Sequence, residues 1–202
     1  GGGSSSTNST TLSTKTSKEA KSPQRHPPPA SLLTAERVVP KAVMRGHTGT
    51  IWALDTFGGV LFSASDDGTL RVWDLHSLEC VHTIEDPYKS KKLCVAAGYG
   101  LLCTGTDDCK IKIYGLGNFD YRRTLSGHQW EVWQLQLREH YLFSASYDSK
   151  IKIWDLTDYA CVRTLEGHQG YIHALHAGNN CQVLVSGSID RSLRVWTDEE
   201  AQ

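Results

Sequence analysis

Short runs of alternating apolar and polar residues fill the chain from about residue 41 to residue 197. Segments such as TIWALDT, LFSASD and LRVWDL are rich in β-branched and aromatic residues, and Gly, Asp and Asn separate them. Runs of this length between turn-forming residues predict β-strands. We therefore expect an all-β fold over this part of the chain.

The strand pattern recurs four times along the chain. The first, third and fourth copies are clear: RGHTGTIWALDTFGGVLFSASDDGTLRVWDL, SGHQWEVWQLQLREHYLFSASYDSKIKIWDL and EGHQGYIHALHAGNNCQVLVSGSIDRSLRVWTD. The second copy is degenerate and reads LCVAAGYGLLCTGTDDCKIKIYGL. Their aromatic anchors Trp73, Tyr114, Trp154 and Trp196 are 41, 40 and 42 residues apart. A period of about 40 to 45 residues is that of β-propeller blades, which pack radially. The linking segments CVHTI, RRTLS and VRTLE, and KAVMRG ahead of the first copy, are predicted to supply the fourth strand of each blade.

The repeats divide the chain into a tail and a folded region. We place the four repeats at about 41–76, 81–117, 122–157 and 162–197. Residues 1–40 differ from the rest, and GGGSSSTNSTTLSTKTSKEAKSPQRHPPPAS within them is Gly, Ser, Thr and Pro with almost nothing apolar. Such composition cannot bury a core, so this segment is predicted to be a disordered tail or linker.

Charge and hydropathy narrow the class of partner. Lys and Arg total 21 against 22 Asp and Glu, which gives a net charge of -1. This balance creates no long-range field for polyanions and argues against nucleic acid as a partner. No apolar run approaches the roughly 20 residues that span a bilayer, and no signal peptide precedes the repeats. We expect a cytoplasmic protein without membrane contact, with the nucleus as the alternative.

The six cysteines do not have the spacing of a metal site or a disulfide framework. None forms a CxxC pair, and the histidines supply no HxxxH partner, so no metal is expected. Cys80 and Cys161 occupy the same place in two repeats, LECVHTI and YACVRTL. We therefore expect them to be small buried side chains rather than redox groups.

Dipeptides at the repeat ends carry a family resemblance. Gly-His pairs at 46–47, 127–128 and 167–168 open repeats, and Trp-Asp pairs at 73–74 and 154–155 close them. The chain thereby resembles the WD-repeat family over residues 41–197. That resemblance implies a structural hydrogen-bond relay of His, Ser or Thr, Asp and Trp in each blade. Carried over, the relay residues are His47, Ser65, Asp67 and Trp73; His128, Ser146, Asp148 and Trp154; and His168, Ser188, Asp190 and Trp196.

The second repeat departs from this pattern. It keeps Thr106 and Asp108 but has Tyr114 in place of Trp, and Tyr88 stands near the position of the relay His. We expect its blade to be the loosest. A short basic run nearby, Lys89, Lys91 and Lys92, is either a docking point for an acidic group or simply a solvated loop.

His, Ser and Asp are also the residue types of a hydrolytic triad. An enzyme needs one such set in a pocket, whereas three sets at the same place in three repeats indicate a network that satisfies buried polar groups. We therefore predict a protein that is not an enzyme and needs no cofactor.

The resemblance also implies a docking face, formed by the loop after each Gly-His pair and by the residue before each relay Asp. Aromatic side chains there would bury large areas at small entropic cost. The candidate partner-binding residues are Trp52, Thr50, Asp66, Asp107, Glu131, Trp133, Tyr147, Tyr171 and His173. The alternative is that Trp52 and Trp133 lie on inner strands and pack only against neighbouring blades.

Function follows from the resemblance as an expectation. WD repeats act as protein-protein interaction scaffolds, so the expected partners are other proteins. The repeats are further similar to those of RING-type ubiquitin ligases of the TNF-receptor-associated-factor group, which suggests a substrate-recognition role. The alternatives are the substrate-targeting module of an enzyme such as a kinase, and an RNA- or chromatin-associated adaptor.

Four blades raise the question of how the ring closes. An open propeller leaves unpaired strand edges, and WD-repeat rings usually have about seven blades. We expect the chain to be part of a larger ring. The alternative is a homodimer in which KAVMRG of one chain adds the outer strand to the blade that ends at Trp196 of the other.

Overall fold

The computed structural model describes residues 1–2, 41–178 and 182–197, so all but the first two residues of the predicted tail lie outside the described residues. The described part contains fifteen β-strands. Their bounds are β1 Ile51–Phe57, β2 Val60–Ser65, β3 Thr69–Asp74, β4 Cys80–Glu85, β5 Lys92–Gly98, β6 Leu101–Thr106, β7 Lys110–Gly115, β8 Tyr121–Ser126, β9 Val132–Arg138, β10 Tyr141–Ser146, β11 Ile151–Asp155, β12 Ala160–Leu165, β13 Ile172–Ala177, β14 Val183–Ser188 and β15 Leu193–Thr197.

The strands form four antiparallel sheets in chain order, each a meander. Blade 1 is β1 to β4, blade 2 is β5 to β8, blade 3 is β9 to β12, and blade 4 is β13 to β15. The predicted all-β, four-blade fold is confirmed. Each of the first three sheets takes its outermost strand from the segment that links two repeats, so the sheets are displaced along the chain from the sequence repeats.

Neighbouring blades pack through their inner strands, with β1 against β5, β5 against β9 and β9 against β13. The hydrophobic core is correspondingly split into three clusters. One contains Phe62 and Leu102, the next contains Ile113 and Leu142, and the third contains Ile151 and Leu184. A single blade cannot bury its own apolar face, so each cluster depends on two adjacent sheets.

Blade 2 is not exposed or loosely packed, contrary to the expectation from its worn sequence. Nearly every residue of β5, β6 and β7 is buried, because this blade has a neighbour on both sides. Lys92 is completely buried and bonds Asp86, which also accepts from Lys112 at 2.8 Å. The interpretation of Lys89, Lys91 and Lys92 as one exposed basic run is therefore wrong, since Lys92 belongs to the interior and only the other two are exposed.

The segment KAVMRG is not a strand, which corrects the prediction that it forms a fourth strand. In the other repeats the strand that precedes the Gly-His pair belongs to the blade before it: β8 pairs with β7, and β12 with β11. KAVMRG has no such preceding blade among the described residues. At the other end of the array, β15 pairs with β14 alone, and its outer edge is open in the described part of the chain.

The outward face of blade 1 is apolar and has no packing partner among the described residues. Leu54 on β1 is 61% exposed, whereas Val95, Leu135 and Leu175, which hold the same register position on the other inner strands, are 5 to 7% exposed. The difference arises because each of those three residues packs against the preceding blade. Blade 1 presents the same surface to solvent.

The outward face of blade 4 is the counterpart of this surface. Leu193 on β15 is 79% exposed, whereas Leu70, Ile111 and Ile151 at the same register position are at most 1% exposed. These residues pack against the following blade. The two outward faces are therefore the two halves of an interface that occurs three times within the chain.

The cysteines only partly follow the prediction. Cys161 is exposed and Cys80 is half-buried, so the prediction that this pair is buried is wrong for Cys161. The reason is that both lie on outer strands, which have no further strand beside them. Cys94 and Cys103 are buried, and burial raises the pKa of the Cys103 thiol to about 12. Both therefore behave as small apolar core residues. Cys181 lies outside the described residues.

No helix long and apolar enough to cross a bilayer occurs in the stretches that the structure describes. Within the same stretches, no three His, Cys, Asp or Glu side chains are grouped so as to hold a metal ion.

Candidate functional site

A buried hydrogen-bond relay crosses blade 1. The indole Nε1–H of Trp73 donates to Ser63 Oγ at 2.8 Å, and Ser63 Oγ lies 2.6 Å from His47 Nε2. His47 Nδ1 lies 2.7 Å from Asp67 Oδ2. Because an indole N–H can only donate and a carboxylate can only accept, the serine hydroxyl donates to Nε2 and Nδ1–H donates to the aspartate. The relay therefore holds the Gly-His loop, the strands and the tight turn together.

Blades 3 and 4 repeat the relay. In blade 3 the distances along Trp154, Ser144, His128 and Asp148 are 2.8, 2.7 and 2.8 Å. In blade 4 the corresponding chain is Trp196, Ser186, His168 and Asp190, with distances of 2.9, 2.8 and 2.7 Å. The same network at the same register in three blades makes it a property of the repeat.

The serines of the relay are not the ones carried over from the resemblance. Ser63, Ser144 and Ser186 occupy the position that we assigned to Ser65, Ser146 and Ser188. The reason is strand geometry. Trp73 lies opposite Leu61, so the residue two positions along, Ser63, is its diagonal neighbour on the same face. Ser65 is four positions along, roughly 13 Å away at about 3.3 Å per residue.

The assigned serines have a different task. Ser65, Ser146 and Ser188 each accept a hydrogen bond from the backbone N–H of the relay Asp, at 3.2, 3.0 and 3.1 Å. They therefore shape the turn that positions the carboxylate. The relay Asp is itself well bonded. Burial alone would raise the pKa of Asp148, but hydrogen bonds from His128 and from the Gln129 and Lys150 amides outweigh it and lower that pKa.

The relay serines are unsuited to act as nucleophiles. Ser63, Ser144 and Ser186 are at most 1% exposed, and each Oγ is capped by an indole N–H. A triad serine must instead meet substrate in a pocket. The geometry therefore matches a structural network that satisfies buried polar groups.

Blade 2 replaces the relay with a cluster of charges. Thr106 and Asp108 are bonded to each other, and Ser90 Oγ donates to Asp108 at 3.1 Å. Ser90 thus stands where the other blades have histidine, whereas Tyr88 is exposed rather than near that position. The carboxylate of Asp86 and the ammonium groups of Lys92 and Lys112 fill the adjacent interior. This interior cluster could not be identified from the sequence, because the second repeat lacks the Gly-His loop that aligns the other repeats with one another.

A β-bulge sets the orientation of one docking-face residue in every blade. The register of each inner strand against its neighbour shifts at Trp52, Leu93, Trp133 and His173. The extra residue of a bulge has no directly opposed partner, and bulges often re-aim a side chain at a functional site. Three of these four positions carry aromatic rings, and in blade 2 the position is filled by the buried Leu93.

The remaining candidate residues are of two kinds, the residue before each relay Asp and the residue before each inner strand. One backbone hydrogen bond joins the two in every blade. The amide of the residue before the relay Asp donates to the carbonyl of the residue before the inner strand, at 2.9 to 3.3 Å. The pairs joined in this way are Asp66 with Thr50, Asp107 with Lys91, Tyr147 with Glu131, and Ile189 with Tyr171. The structure therefore gathers the predicted positions at one end of the blades, which we call the docking face.

Aromatic rings on the docking face form a continuous array, the aromatic platform of Trp52, Trp133, Tyr147, Tyr171 and His173. Trp52 meets Trp133 edge-on at 5.4 Å, and Trp133 stacks on Tyr147 at 4.9 Å. Tyr147 stacks on Tyr171 at 4.2 Å, and His173 contacts both Trp133 and Tyr147. The platform thus spans residues of blades 1, 3 and 4.

The platform is open to solvent at both ends. Trp52 is 46% exposed and Tyr171 is 39% exposed, while Trp133 and Tyr147 are half-buried. Trp52 and Trp133 do lie on inner strands, as the alternative interpretation requires, but their side chains contact each other rather than only the core. The Trp52 indole N–H also donates to Asp66 at 2.7 Å, which fixes the exposed ring.

Two further residues lie on the docking face. Lys91, predicted only as part of a basic run, holds the position of Thr50 in blade 2, and its ammonium lies 3.4 Å from Asp66. Trp130 was not predicted from the sequence. Trp130 is 55% exposed beside Glu131, where the first and fourth repeats have glycine in HTG and HQG. A large apolar ring in place of glycine in an otherwise similar loop was the available signal for Trp130.

Comparison with known proteins follows the repeats. The family model described as WD domain, G-beta repeat matches residues 38–74, 119–155 and 159–197, leaving the worn second copy unmatched. The chain is 36% identical over 88 residues to the pre-mRNA-splicing factor cwf17 of Schizosaccharomyces pombe, covering 42% of this chain and 26% of that protein. It is 51% identical over 43 residues to the probable E3 ubiquitin ligase complex SCF subunit sconB of Arthroderma otae, covering 20% of this chain and 6% of that protein.

Among solved structures, the chain superimposes on the computationally designed Ika4 protein with a TM-score of 0.70 and 26% sequence identity. The match covers 77% of this chain and 95% of the designed one. The chain therefore spans only about a quarter or less of these two curated relatives, but nearly the whole of a designed protein.

Proposed function

Because the chain belongs to the WD40 repeat family, we propose that it is an interaction scaffold whose protein partner docks on the aromatic platform. The blades supply rigid positions, and the platform supplies the contact area. The buried relay acts only by holding the loops of the docking face in place.

The observation that carries this proposal is the continuity of the platform. Large aromatic rings that are rigid and half-exposed are typical of the residues that dominate binding energy at protein interfaces. Here the rings contact one another from Trp52 to Tyr171, so they form a single surface. Isolated exposed apolar side chains would carry no such meaning.

Alanine at Trp52, Trp133 and Tyr171 together is expected to abolish partner capture while the chain remains folded. Trp52 and Tyr171 are exposed and Trp133 is half-buried, so their loss removes mainly contact area at the docking face. Losses of about 2 kcal/mol or more are common for one such residue, which is at least about 30-fold in affinity. Affinity capture with quantitative mass spectrometry, beside circular dichroism, measures both effects.

The matched control is Tyr99→Ala. Tyr99 is 61% exposed, but it lies in the β5–β6 turn at the opposite end of the blades. This variant should retain every partner. A folded triple variant that captures the same proteins as the wild type would refute the docking surface.

We further propose that the captured partner is a substrate presented to a ubiquitin ligase. The similarity to the SCF subunit sconB supports this role. Ubiquitin ligase subunits among the proteins that co-purify with the chain are the expected result. Capture that disappears on nuclease digestion would instead favour the RNA-associated role, which the similarity to a splicing factor supports.

We also propose that the two outward apolar faces associate, either with further blades or with a second copy of the chain. The face of blade 1 around Leu54 and that of blade 4 around Leu193 repeat the two sides of each internal blade interface. Contiguous apolar surface of this kind marks an interaction site. A homodimer of four-blade chains covers both faces.

Glutamate at Leu193 is expected to weaken self-association by about tenfold or more, because a charge would enter an apolar contact. It should not unfold the chain, since this side chain is already 79% exposed. Sedimentation velocity over a range of concentrations measures the association. Val162→Glu, on the outer strand of blade 3, is the control and should leave it unchanged. A wild-type chain that sediments as a monomer at every concentration would contradict the homodimer.

A further inference from the structure

A carboxylate without a counter-ion stands beside the aromatic platform. Glu131 is half-buried, and its Oε2 is buried without any hydrogen-bond partner. None of the ion pairs among the described residues involves it. Its backbone carbonyl accepts from the Tyr147 amide at 3.0 Å. Burial, followed by the charge of Glu131, raises the pKa of Tyr147, so the carboxylate lies near the stacked rings. A buried carboxylate oxygen that lacks a partner is costly, and such groups usually have an explanation in function.

A second carboxylate lies on the neighbouring blade of the same face. Asp107 Oδ1 accepts the Lys91 amide at 2.9 Å, but the Lys91 ammonium is directed to Asp66 instead. Burial, followed by the nearby Asp108, raises the pKa of Asp107, which reflects a charge held without sufficient compensation. Blades 2 and 3 thus present two carboxylates with no side-chain cation within ion-pair distance in the described part of the chain.

The rings around Glu131 are suited to the same kind of ligand. Trp133 and Tyr147 stack with an interplanar angle of 18°. The negative faces of such rings attract cations, more strongly where water is excluded. Aromatic area and negative charge therefore occur together at this point on the docking face.

We infer that this part of the docking face seats an arginine side chain of the docked protein. The inference rests on the proposed function, because the arginine would be part of the segment that lies on the aromatic platform. A planar guanidinium carries five donors and can bond carboxylates while it stacks on an aromatic ring. A lysine ammonium is a compact, strongly hydrated point charge and lacks the flat, forked group that stacks on a ring while it bonds carboxylates.

The test uses three synthetic peptides that differ only at the central residue: acetyl-Gly-Arg-Gly-amide, its citrulline twin and its lysine twin. Citrulline has nearly the shape of arginine but no charge. Titration is followed by NMR of the tryptophan indole N–H signals. We expect the arginine peptide to shift the Trp133 signal saturably, and the citrulline twin to bind at least about tenfold more weakly.

The variant Glu131→Gln keeps the size of the side chain and removes its charge. It should lower the affinity for the arginine peptide by about tenfold or more and leave the affinity for the citrulline peptide unchanged. Glu79→Gln is the matched control, because Glu79 is exposed in the β3–β4 turn at the far end of blade 1. It should behave as the wild type. Circular dichroism of both variants checks that the fold is retained.

Several results would overturn the inference. Equal binding of the arginine and citrulline peptides, unchanged affinity in Glu131→Gln, or the absence of a saturable shift up to about 10 mM peptide would each do so. A lysine twin that binds as tightly as the arginine peptide would overturn the assignment of a guanidinium. These results do not affect the outcome of the alanine test of the platform. The proposed docking surface and the proposed arginine site can therefore be refuted independently of each other.

Discussion

Asparagine at Asp86 is expected to destabilise the chain by about 3 to 5 kcal/mol, because it leaves two buried ammonium groups without their anion. Lys92 is completely buried and Lys112 nearly so, and both bond the Asp86 carboxylate. Although burial alone would raise the pKa of Asp86, hydrogen bonds from Lys112 and Lys92 hold it at about 2. The midpoint of urea unfolding, compared with that of the wild type, measures the loss.

Two companion variants isolate the charge effect. Asp158→Asn makes the same chemical change at an exposed turn and should alter stability by less than about 0.5 kcal/mol. Adding Lys92→Met to Asp86→Asn should restore at least about half of the lost stability, since it removes one uncompensated buried charge. A single variant Asp86→Asn as stable as Asp158→Asn would mean that the two lysines do not depend on this anion.

Alanine at Ser144 is expected to cost about 2 to 4 kcal/mol, because it leaves two buried groups unsatisfied at once. Ser144 Oγ accepts from the Trp154 indole and bonds His128 Nε2, and all three residues are buried. For a chain of this size such a loss corresponds to a fall of roughly 5 to 15 °C in the melting temperature. Scanning calorimetry measures it.

Alanine at Ser146 provides the matched comparison two residues along the same strand. Ser146 Oγ donates to the Trp130 carbonyl and accepts the Asp148 amide, but both bonds are only partly buried, so water can replace the lost partner and the loss should cost only about 1 kcal/mol. The NMR signal of the Trp154 indole N–H should move in Ser144→Ala and stay in place in Ser146→Ala. If the signal instead moved in Ser146→Ala and stayed in place in Ser144→Ala, Ser146 would be the relay serine.

The blade array was accessible to sequence reasoning because it rests on periodicity. The 41-, 40- and 42-residue spacing of Trp73, Tyr114, Trp154 and Trp196 indicated the repeat without any knowledge of contacts. The strands followed from runs of β-branched residues between turns. The sequence did not reveal that KAVMRG would not form a strand. An outer strand forms only where the preceding blade offers an edge strand for pairing, and the segment itself does not show whether such a blade is present.

The choice between Ser63 and Ser65 shows what a motif leaves undecided. Both lie on the same face of β2, in the segment SASDD, so alternation cannot separate them. Only the register of β2 against β3 places Ser63 within reach of the Trp73 indole. The register is a property of the paired strands and could not be derived from the motif alone.

The charge cluster of blade 2 was missed for a different reason. Its members Asp86, Lys92 and Lys112 come from a linking segment, an inner strand and a third strand, and none corresponds to a relay residue. Sequence reasoning carried the relay over by position and therefore predicted a weakened blade. The structure shows that a different set of partners fills the same interior.

The bulge in each inner strand has a consequence for how the family diversifies. Its extra residue, represented by Trp52, Leu93, Trp133 and His173, has no directly opposed residue in the neighbouring strand. A substitution there meets few constraints from strand pairing, whereas the relay beneath remains intact. Substitutions at Trp52, Trp133 and His173 can therefore change the binding specificity of one blade at a time, while the hydrogen-bond network that holds the blades stays in place.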